Sequence, residues 1–380
     1  MSYVLWLPSW YPSREDAFTG DFIERHAHAA ALHSTLEVLV LAGTASADAY
    51  ECVQVNANLR VHYCYIHHKP GSGMPLFVKK WKQYRALTNR LFREKGLPGC
   101  MHVHVATWAG AFALWLKKKY GVPYYLTEHW SGFRKDVPHS VYGWGRLKRK
   151  LLQRILLGSK ALLPVSADLE TRMTAFAGPH PAVIVRNVVD TTLFYPAEAP
   201  APQHFTFVHV SGLGHPKNPE GLLRAFCRYL DEGGKGRLLV IGPVGTALQS
   251  WINANLTPRH HEGIVFAGEL SYPEVAAAVQ KAQVMVLFSN YENFPCVIIE
   301  ALCCGVPVLA TRVGGIPEAV NETNGRLVTA GDEKGLTESL HWFTTHYAEF
   351  DRHGIAAGAV AQYSYDNIGR QLSSLYNEIE

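Results

Sequence analysis

The sequence predicts an α/β protein of two doubly wound domains, each a mostly parallel sheet with helices on its faces. Three observations carry that prediction. The chain has 380 residues, too many for one ordinary core when domains run to about 100–200 residues. Short apolar runs of strand character alternate with longer amphipathic runs through both halves, as in successive βαβ units. Between the halves, residues 195–204 read YPAEAPAPQH, a Pro/Ala-rich stretch suited to a linker. Hydrophobic residues make up 48% of the chain, enough for a core in each half.

In the first half, residues 3–7 form an opening strand, 8–20 a long turn and 22–32 a helix with Gly20 at its start. Glycine there lets backbone approach a ligand. Strands at 38–41 and 61–66 lead to a basic helix at 76–94, a strand at 101–106, a helix at 110–120 and a strand at 123–127 running into Glu128 and His129. Doubly wound sheets bind ligands at the carboxyl ends of their strands, near which His104 and His129 both fall. A second basic segment, 143–158, carries Leu147, Leu151, Leu152, Ile155 and Leu156 on one helical face. A strand at 162–166, a helix at 167–176 and a strand at 183–186 complete the domain, which ends at residue 195 after the turn Asn187-Val188-Val189-Asp190.

The second half opens with a strand at 205–210 and a loop holding Gly212, Gly214, His215 and Lys217. A helix at 222–230, a strand at 237–241, a glycine turn from Gly242 to Gly245, a strand at 264–267 and a helix at 273–282 follow. The most informative stretch is 284–318, VMVLFSNYENFPCVIIEALCCGVPVLATRVGGIPE. Its first six residues are a buried strand and 290–294 a polar turn, while Pro295 suits the first turn of a helix, where its missing N–H costs nothing. Gly305 stops that helix, and 306–311 is a second strand, so the crossover is right-handed. Glu292 lies in the turn and Glu300 inside the apolar helix, where a carboxylate needs a partner. Open N–H groups near Pro295 make an anion site and the glutamates accept from hydroxyls, a combination suited to a sugar nucleotide. A solvated turn glutamate and a salt-bridged core glutamate are the alternative reading of the same pair. Helices at 333–348 and 367–380 close the chain.

Composition narrows the class. A net charge of +4 is too small for a general nucleic-acid binder. No apolar run reaches about 18 residues, and MSYVLWLPSWYP lacks the basic start and small-residue cleavage site of a signal peptide, so a soluble cytoplasmic protein is expected. The seven cysteines show no CxxC spacing and are expected to be reduced and mostly buried. No Asp-x-Asp pair or His/Cys cluster with ligand spacing marks a metal site. Basic residues concentrate in 79–95 and 143–160.

Glu292, the seven residues before Glu300, then Ala301, Gly305, Pro307, Val308 and Gly314-Gly315-Ile316-Pro317-Glu318 resemble the donor-binding signature of retaining glycosyltransferases of family 4. The loop from Val210 to Asn218 is similar to the family's phosphate-binding loop, with Gly212 where arginine is usual, Lys217 retained and His215 as a substitute cation. Leu126-Thr127-Glu128-His129 is similar to the family's strand-end histidine motif, and the turn at Asn187 to the family's turn at the end of its first domain. The resemblance implies the GT-B fold: two Rossmann-like domains facing a central cleft, 1–195 on the acceptor side and 205–362 for the donor, with a C-terminal helix, 363–380, crossing back to the first. It implies a metal-independent transfer, with retention, from a UDP- or GDP-linked sugar to a saccharide or lipid-linked saccharide, without a further cofactor. His129, Glu292 and Lys217 would be catalytic. Gly20, Gly212, Lys217, Gly242, Asn293, Phe294, Pro295 and Glu300 would bind the donor. A nucleotide-sugar epimerase or phosphorylase on the same architecture, or a non-catalytic saccharide- or membrane-binding member, are the competing readings. The two basic segments point to an anionic membrane surface, at the inner face of the cytoplasmic membrane.

Overall fold

The structure, a computed structural model, describes residues 3–67, 73–197 and 204–378. It divides into two compact units, one of Met1–Val188 with Tyr365–Glu380, the other of Val189–Ser364. Most of the expected linker at 195–204 lies outside the described residues.

The first unit runs β1 (Val4–Pro8), α1 (Asp21–Ala31), β2 (Leu36–Thr44), β3 (Ala49–Asn56), β4 (Leu59–His67), α2 (Gly73–Lys95), β5 (Cys100–His104), α3 (Trp108–Tyr120), β6 (Tyr124–Glu128), α4 (Arg146–Gly158), β7 (Leu162–Pro164) and α5 (Ala167–Ala177). Among the described residues its seven strands lie in the order β3-β4-β2-β1-β5-β6-β7, parallel except for β3, which is antiparallel to β4. Every residue of β1, β5 and β6 is buried, because helices cover a parallel sheet on both faces. Trp6, Ile23, Val38, Val61 and Tyr125 belong to the core this creates.

Two sequence expectations fail here. No strand was expected at β3, most of whose residues are exposed; an edge strand without a core face lacks the apolar pattern that reveals strands. The expected strand at 183–186 is not a ladder. Val183 and Val185 donate to the carbonyls of Leu162 and Pro164 at 2.9 and 3.1 Å, but the only bridge to β7 is an isolated one at Ala182. With three residues, β7 offers little more to pair with.

The second unit runs β8 (Thr206–Val210), α6 (Pro219–Asp231), β9 (Arg237–Ile241), α7 (Thr246–Asn255), α8 (Pro258–Gly263), β10 (Ile264–Gly268), α9 (Tyr272–Lys281), β11 (Val284–Leu287), α10 (Cys296–Cys303), β12 (Val308–Thr311), α11 (Ile316–Ala319), β13 (Gly325–Val328), α12 (Glu333–His346) and α13 (Arg352–Tyr363). Among the described residues its six strands are all parallel, in the order β10-β9-β8-β11-β12-β13. The sequence did not reveal α13, whose buried face includes Ala356 and Ala359 and so carries a weak apolar stripe. Asp351 fixes its start by accepting the Gly354 N–H at 3.0 Å.

The last helix, α14 (Tyr365–Asn377), belongs to the first unit and packs on α1. A Cβ on Gly369 would lie 2.2 Å from the Ala29 carbonyl oxygen, so only glycine admits this approach. Ile368, Leu372, Leu375 and Tyr376 enter the first core. All seven cysteines are free thiols: Cys64, Cys100, Cys303 and Cys304 are buried and Cys52 is exposed.

Candidate functional site

In each unit the strand order reverses at one point, between β8 and β11 in the second and between β1 and β5 in the first. A crevice opens outside the carboxyl ends of the strands at such a point. In the second unit the loops that meet there are 211–218 and 288–295, and they are bonded together. The Asn290 N–H donates to the Pro216 carbonyl, and Asn290 Nδ2 to that of His215, both at 2.8 Å. Lys217 Nζ donates to Glu292 Oε1 at 2.5 Å, and Ser289 Oγ to the same oxygen at 2.8 Å. Glu292 is therefore a buried, ion-paired carboxylate, not a solvated turn residue.

Glycines make that seat. On Gly314, at φ 54°, a Cβ would lie 2.0 Å from the Glu292 carbonyl oxygen, and the Gly315 N–H donates to Asn293 at 2.8 Å. On Gly242, at φ 144°, a Cβ would fall 1.9 Å from the Ser211 oxygen, so this predicted ligand residue supports the loop from beneath. His209 anchors the same loop. Its Nδ1 bonds the Val286 carbonyl at 2.9 Å, and its Nε2 bonds Ser211 Oγ at 2.8 Å, which accepts the Leu213 N–H at 3.0 Å. Burial pushes the His209 pKa down to about 4, so the ring is neutral at pH 7.

Gly212 differs from these glycines, since a Cβ there meets nothing within 4 Å. Beside it opens a cavity of about 740 Å³ whose walls include Gly212, Gly214, His215, Asn218, Pro243 and Thr246. His215 thus shares a cavity with the missing arginine's position. Lys217, Glu292 and Glu300 are not among the residues lining it. Pro295 is the residue before α10, not part of its first turn, and the Phe294 ring is buried 5.9 Å from that of Tyr363. Glu300 is 3% exposed, and the Tyr272 hydroxyl donates to its Oε1 at 2.9 Å. Nothing in the sequence pattern marks Tyr272.

In the first unit, Gly20 takes φ 78°, and a Cβ on it would lie 2.6 Å from the carbonyl carbon of Trp10. The protein's own backbone demands this glycine. His129 follows β6, half-buried, with its ring 4.7 Å from Phe22, 5.4 Å from His26 and 5.8 Å from His104. Burial, then the charges of His26 and His102, holds its pKa well below the usual histidine range. His102 bonds Tyr376 Oη at 2.6 Å and Thr127 Oγ1 at 2.7 Å.

Glu128 is fully buried beneath this group. Its Oε1 accepts the N–H groups of His129 and Trp130 at 2.9 and 2.8 Å, and its Oε2 that of Ala106 at 3.1 Å. Burial still pushes its carboxyl up to about 7. Between β5 and Ala106, Val105 has φ 66°, a left-handed conformation that a β-branched residue adopts only under constraint. The ends of β1, β5 and β6 are tied together here, since Ser9 Oγ donates to the Val105 carbonyl at 2.8 Å. The sequence signal for this cluster is slight: His102 and His104 alternate onto one strand face.

Of the two basic segments, α4 buries Leu152, Ile155 and Leu156 but leaves Leu147 85% exposed, with Leu151 also in solvent. The predicted apolar face is thus only partly a core face. On α2, Lys79 pairs with Asp48 at 2.6 Å and Arg90 with Glu94 at 2.9 Å. Among the described residues no helix is long and apolar enough to cross a membrane, and no cluster of His, Cys, Asp and Glu is arranged to hold a metal.

Two family models match the chain. One, described as Glycosyltransferase Family 4, matches residues 24–193; the other, described as Glycosyl transferases group 1, matches 204–346. A glycogen synthase of Mycobacterium tuberculosis is 28% identical over 253 residues, 63% of this chain; the match spans 58% of that relative's length. The structure of a sucrose-phosphate synthase from Thermosynechococcus elongatus superposes with a TM-score of 0.80 at 17% identity, covering 99% of both chains. Anabaena Alr3699/HepE, solved in complex with UDP, gives 0.72 at 16% identity, covering 99% of this chain and 100% of its own. These likenesses establish the two-domain GT-B fold.

Proposed function

The chain belongs to glycosyltransferase family 4, of the group 1 type, and from that membership we propose that it moves a sugar, with retention, from a nucleoside-diphosphate donor to a saccharide or lipid-linked saccharide. The observation that carries the reading is the Lys217–Glu292 pair at the β8/β11 switch point, which sets a cation for a diphosphate beside an acceptor for sugar hydroxyls. The UDP in the Anabaena protein supports a nucleotide donor.

An incoming diphosphate competes with Glu292 for Lys217. As the ammonium turns to the phosphate oxygens, Glu292 Oε1 is released to accept from hydroxyls of the transferred sugar. Lys217, His215 and the N–H groups at the start of α10 then meet the charge that grows on the departing diphosphate, so that no metal is required. His215 takes the place of the arginine that Gly212 lacks. Glu300 accepts from the ribose. To His129, held neutral by burial at the carboxyl end of β6, we assign a hydrogen bond with a sugar hydroxyl within the first unit. In the route proposed, attack comes on the face the leaving group vacates: the acceptor oxygen bonds the anomeric carbon, the bond to the diphosphate breaks, and a diphosphate oxygen takes the acceptor's proton. Leu147 and Leu151, with Lys148, Arg149, Lys150 and Arg154, form a surface that rests on anionic lipid and brings a lipid-linked acceptor within reach.

Release of nucleoside diphosphate from UDP- and GDP-sugars, measured with saccharide acceptors, tests the assignment. Lys217→Ala and Glu292→Ala should each lower turnover by about 10²–10³-fold, the scale of losing one transition-state contact; rates like those of the parent in both variants sink it.

A further inference from the structure

We propose that Tyr272 is a positioning residue through which the second unit selects ribose over deoxyribose, a role that rests on the reading of Glu300 as the ribose acceptor. Glu300 projects from α10 among Ile298, Ile299 and Leu302, all buried, where a carboxylate needs a donor to hold it. Tyr272, 28 residues earlier, supplies one at 2.9 Å. A carboxylate offers about four lone-pair sites. A donor on Oε1 restricts rotation of the carboxylate, so a ribose diol that reaches it meets an acceptor already oriented and less entropy is lost on binding.

Tyr272 is itself held from two sides. It is the first residue of α9, where the Ser271 N–H donates to Glu274 Oε2 at 2.8 Å within a capping box and Pro273 fixes the first turn. Its ring lies 5.0 Å from that of Phe194, which is fully buried. Phe194 is set in turn by the bend at Asp190: the Phe194 N–H donates to the Asp190 carbonyl at 2.9 Å, and Asp190 Oδ1 accepts the Thr192 N–H at 2.9 Å. Gln280 Nε2, from α9, donates to the Leu193 carbonyl at 2.8 Å and ties helix to bend. The bend thus has a use the sequence leaves open. It buttresses the tyrosine that orients Glu300.

Calorimetric titration of uridine and guanosine diphosphates and their 2′-deoxy forms tests the proposal, with the parent protein, Tyr272→Phe, Glu300→Gln and the double variant. The parent should bind one ribonucleotide about tenfold tighter than its deoxy form. Tyr272→Phe should weaken that ribonucleotide about tenfold and leave the deoxy form within about twofold, since a hydrogen bond to a charged group has this scale. In the Glu300→Gln background the same change should add less than about twofold, because the two residues act as one unit. A merely structural tyrosine would weaken both sugars alike and would add in both backgrounds; either result overturns the proposal, as does tighter binding by Tyr272→Phe. Should Tyr272→Phe prove unstable, Phe194→Leu loosens the same ring without removing the hydroxyl and should reduce the ribose preference by a smaller factor; an unchanged preference counts against the proposal. A parent that binds neither ribonucleotide overturns the Glu300 reading, and this inference with it.

Discussion

His104→Met should stabilise the first unit, and more so at acid pH. The His104 ring is fully buried 4.2 Å from both Trp6 and His102, and neither ring nitrogen has a hydrogen-bond partner among the described residues. A buried unpaired polar group costs about 1–3 kcal/mol. Losing two ring contacts forfeits about 0.5–1.5 kcal/mol each, which the adaptable thioether recovers in part against the same rings. The net gain near pH 7.5 is about 1 kcal/mol. Protonation sharpens the test. Burial, then the charges of His102, His129 and His26, holds the folded His104 pKa well below its ordinary value of 6.5. Below pH 6.5 the unfolded chain takes up a proton that the folded chain refuses, so the parent loses about 1.4 kcal/mol per pH unit at this site. Methionine removes that loss, so the advantage should widen steadily as pH falls from 6.5 to 5. Urea unfolding between pH 5 and 7.5, followed by hydrogen exchange at the β5 amides, localises the measurement to the first unit. An equal gap at both ends of the range, or a variant less stable than the parent at pH 7.5, refutes the account of an uncharged, unpaired ring.

Gly314→Ala should destabilise the second unit by about 2–3 kcal/mol and weaken nucleoside diphosphate binding, because its Cβ overlaps the Glu292 carbonyl and its φ is positive; chemical denaturation and calorimetry report the two effects. Gly212→Arg, into open space, should leave stability unchanged and tighten uridine or guanosine diphosphate binding about tenfold in the same calorimeter. Glu128 has an effect of opposite sign to the histidines. Its folded carboxyl is raised to about 7 from 4.5, so the folded state keeps a proton that the unfolded state has lost. Stability from this group therefore falls by about 3 kcal/mol as pH rises from 4.5 to 7 and is level above. Glu128→Gln should abolish that slope in denaturation curves taken across the range.

The parts of the fold that the sequence made legible are those buried on both faces. Strands such as β1 and β11 read as unbroken apolar runs because a parallel sheet hides them completely. The edge strand β3 and the alanine-faced α13 were hidden because neither carries a contrast between a wet and a dry face. At the site, Glu292, Glu300 and Lys217 stood out as charges in a short conspicuous stretch or loop. Tyr272 and the partners of Glu128 did not, since their meaning lies in bonds between elements: 28 residues separate Tyr272 from Glu300, and 274 separate His102 from Tyr376. Residue type alone also misleads about purpose.

Four glycines, three of them expected to bind the donor, show this most clearly. Gly20, Gly242 and Gly314 are required by the protein's own backbone, which would meet a Cβ at 2.6, 1.9 and 2.0 Å, whereas Gly212 faces open space. The three shape the loops at the ends of the strands; the fourth leaves room at the cavity and removes a cation. The same letter therefore marks two opposite effects. Substituting the first three tests whether the loops can form, and substituting Gly212 tests how much charge the diphosphate needs once they have. A nucleotide affinity that rises in Gly212→Arg and falls in Gly314→Ala would separate charge from scaffold within a single unit.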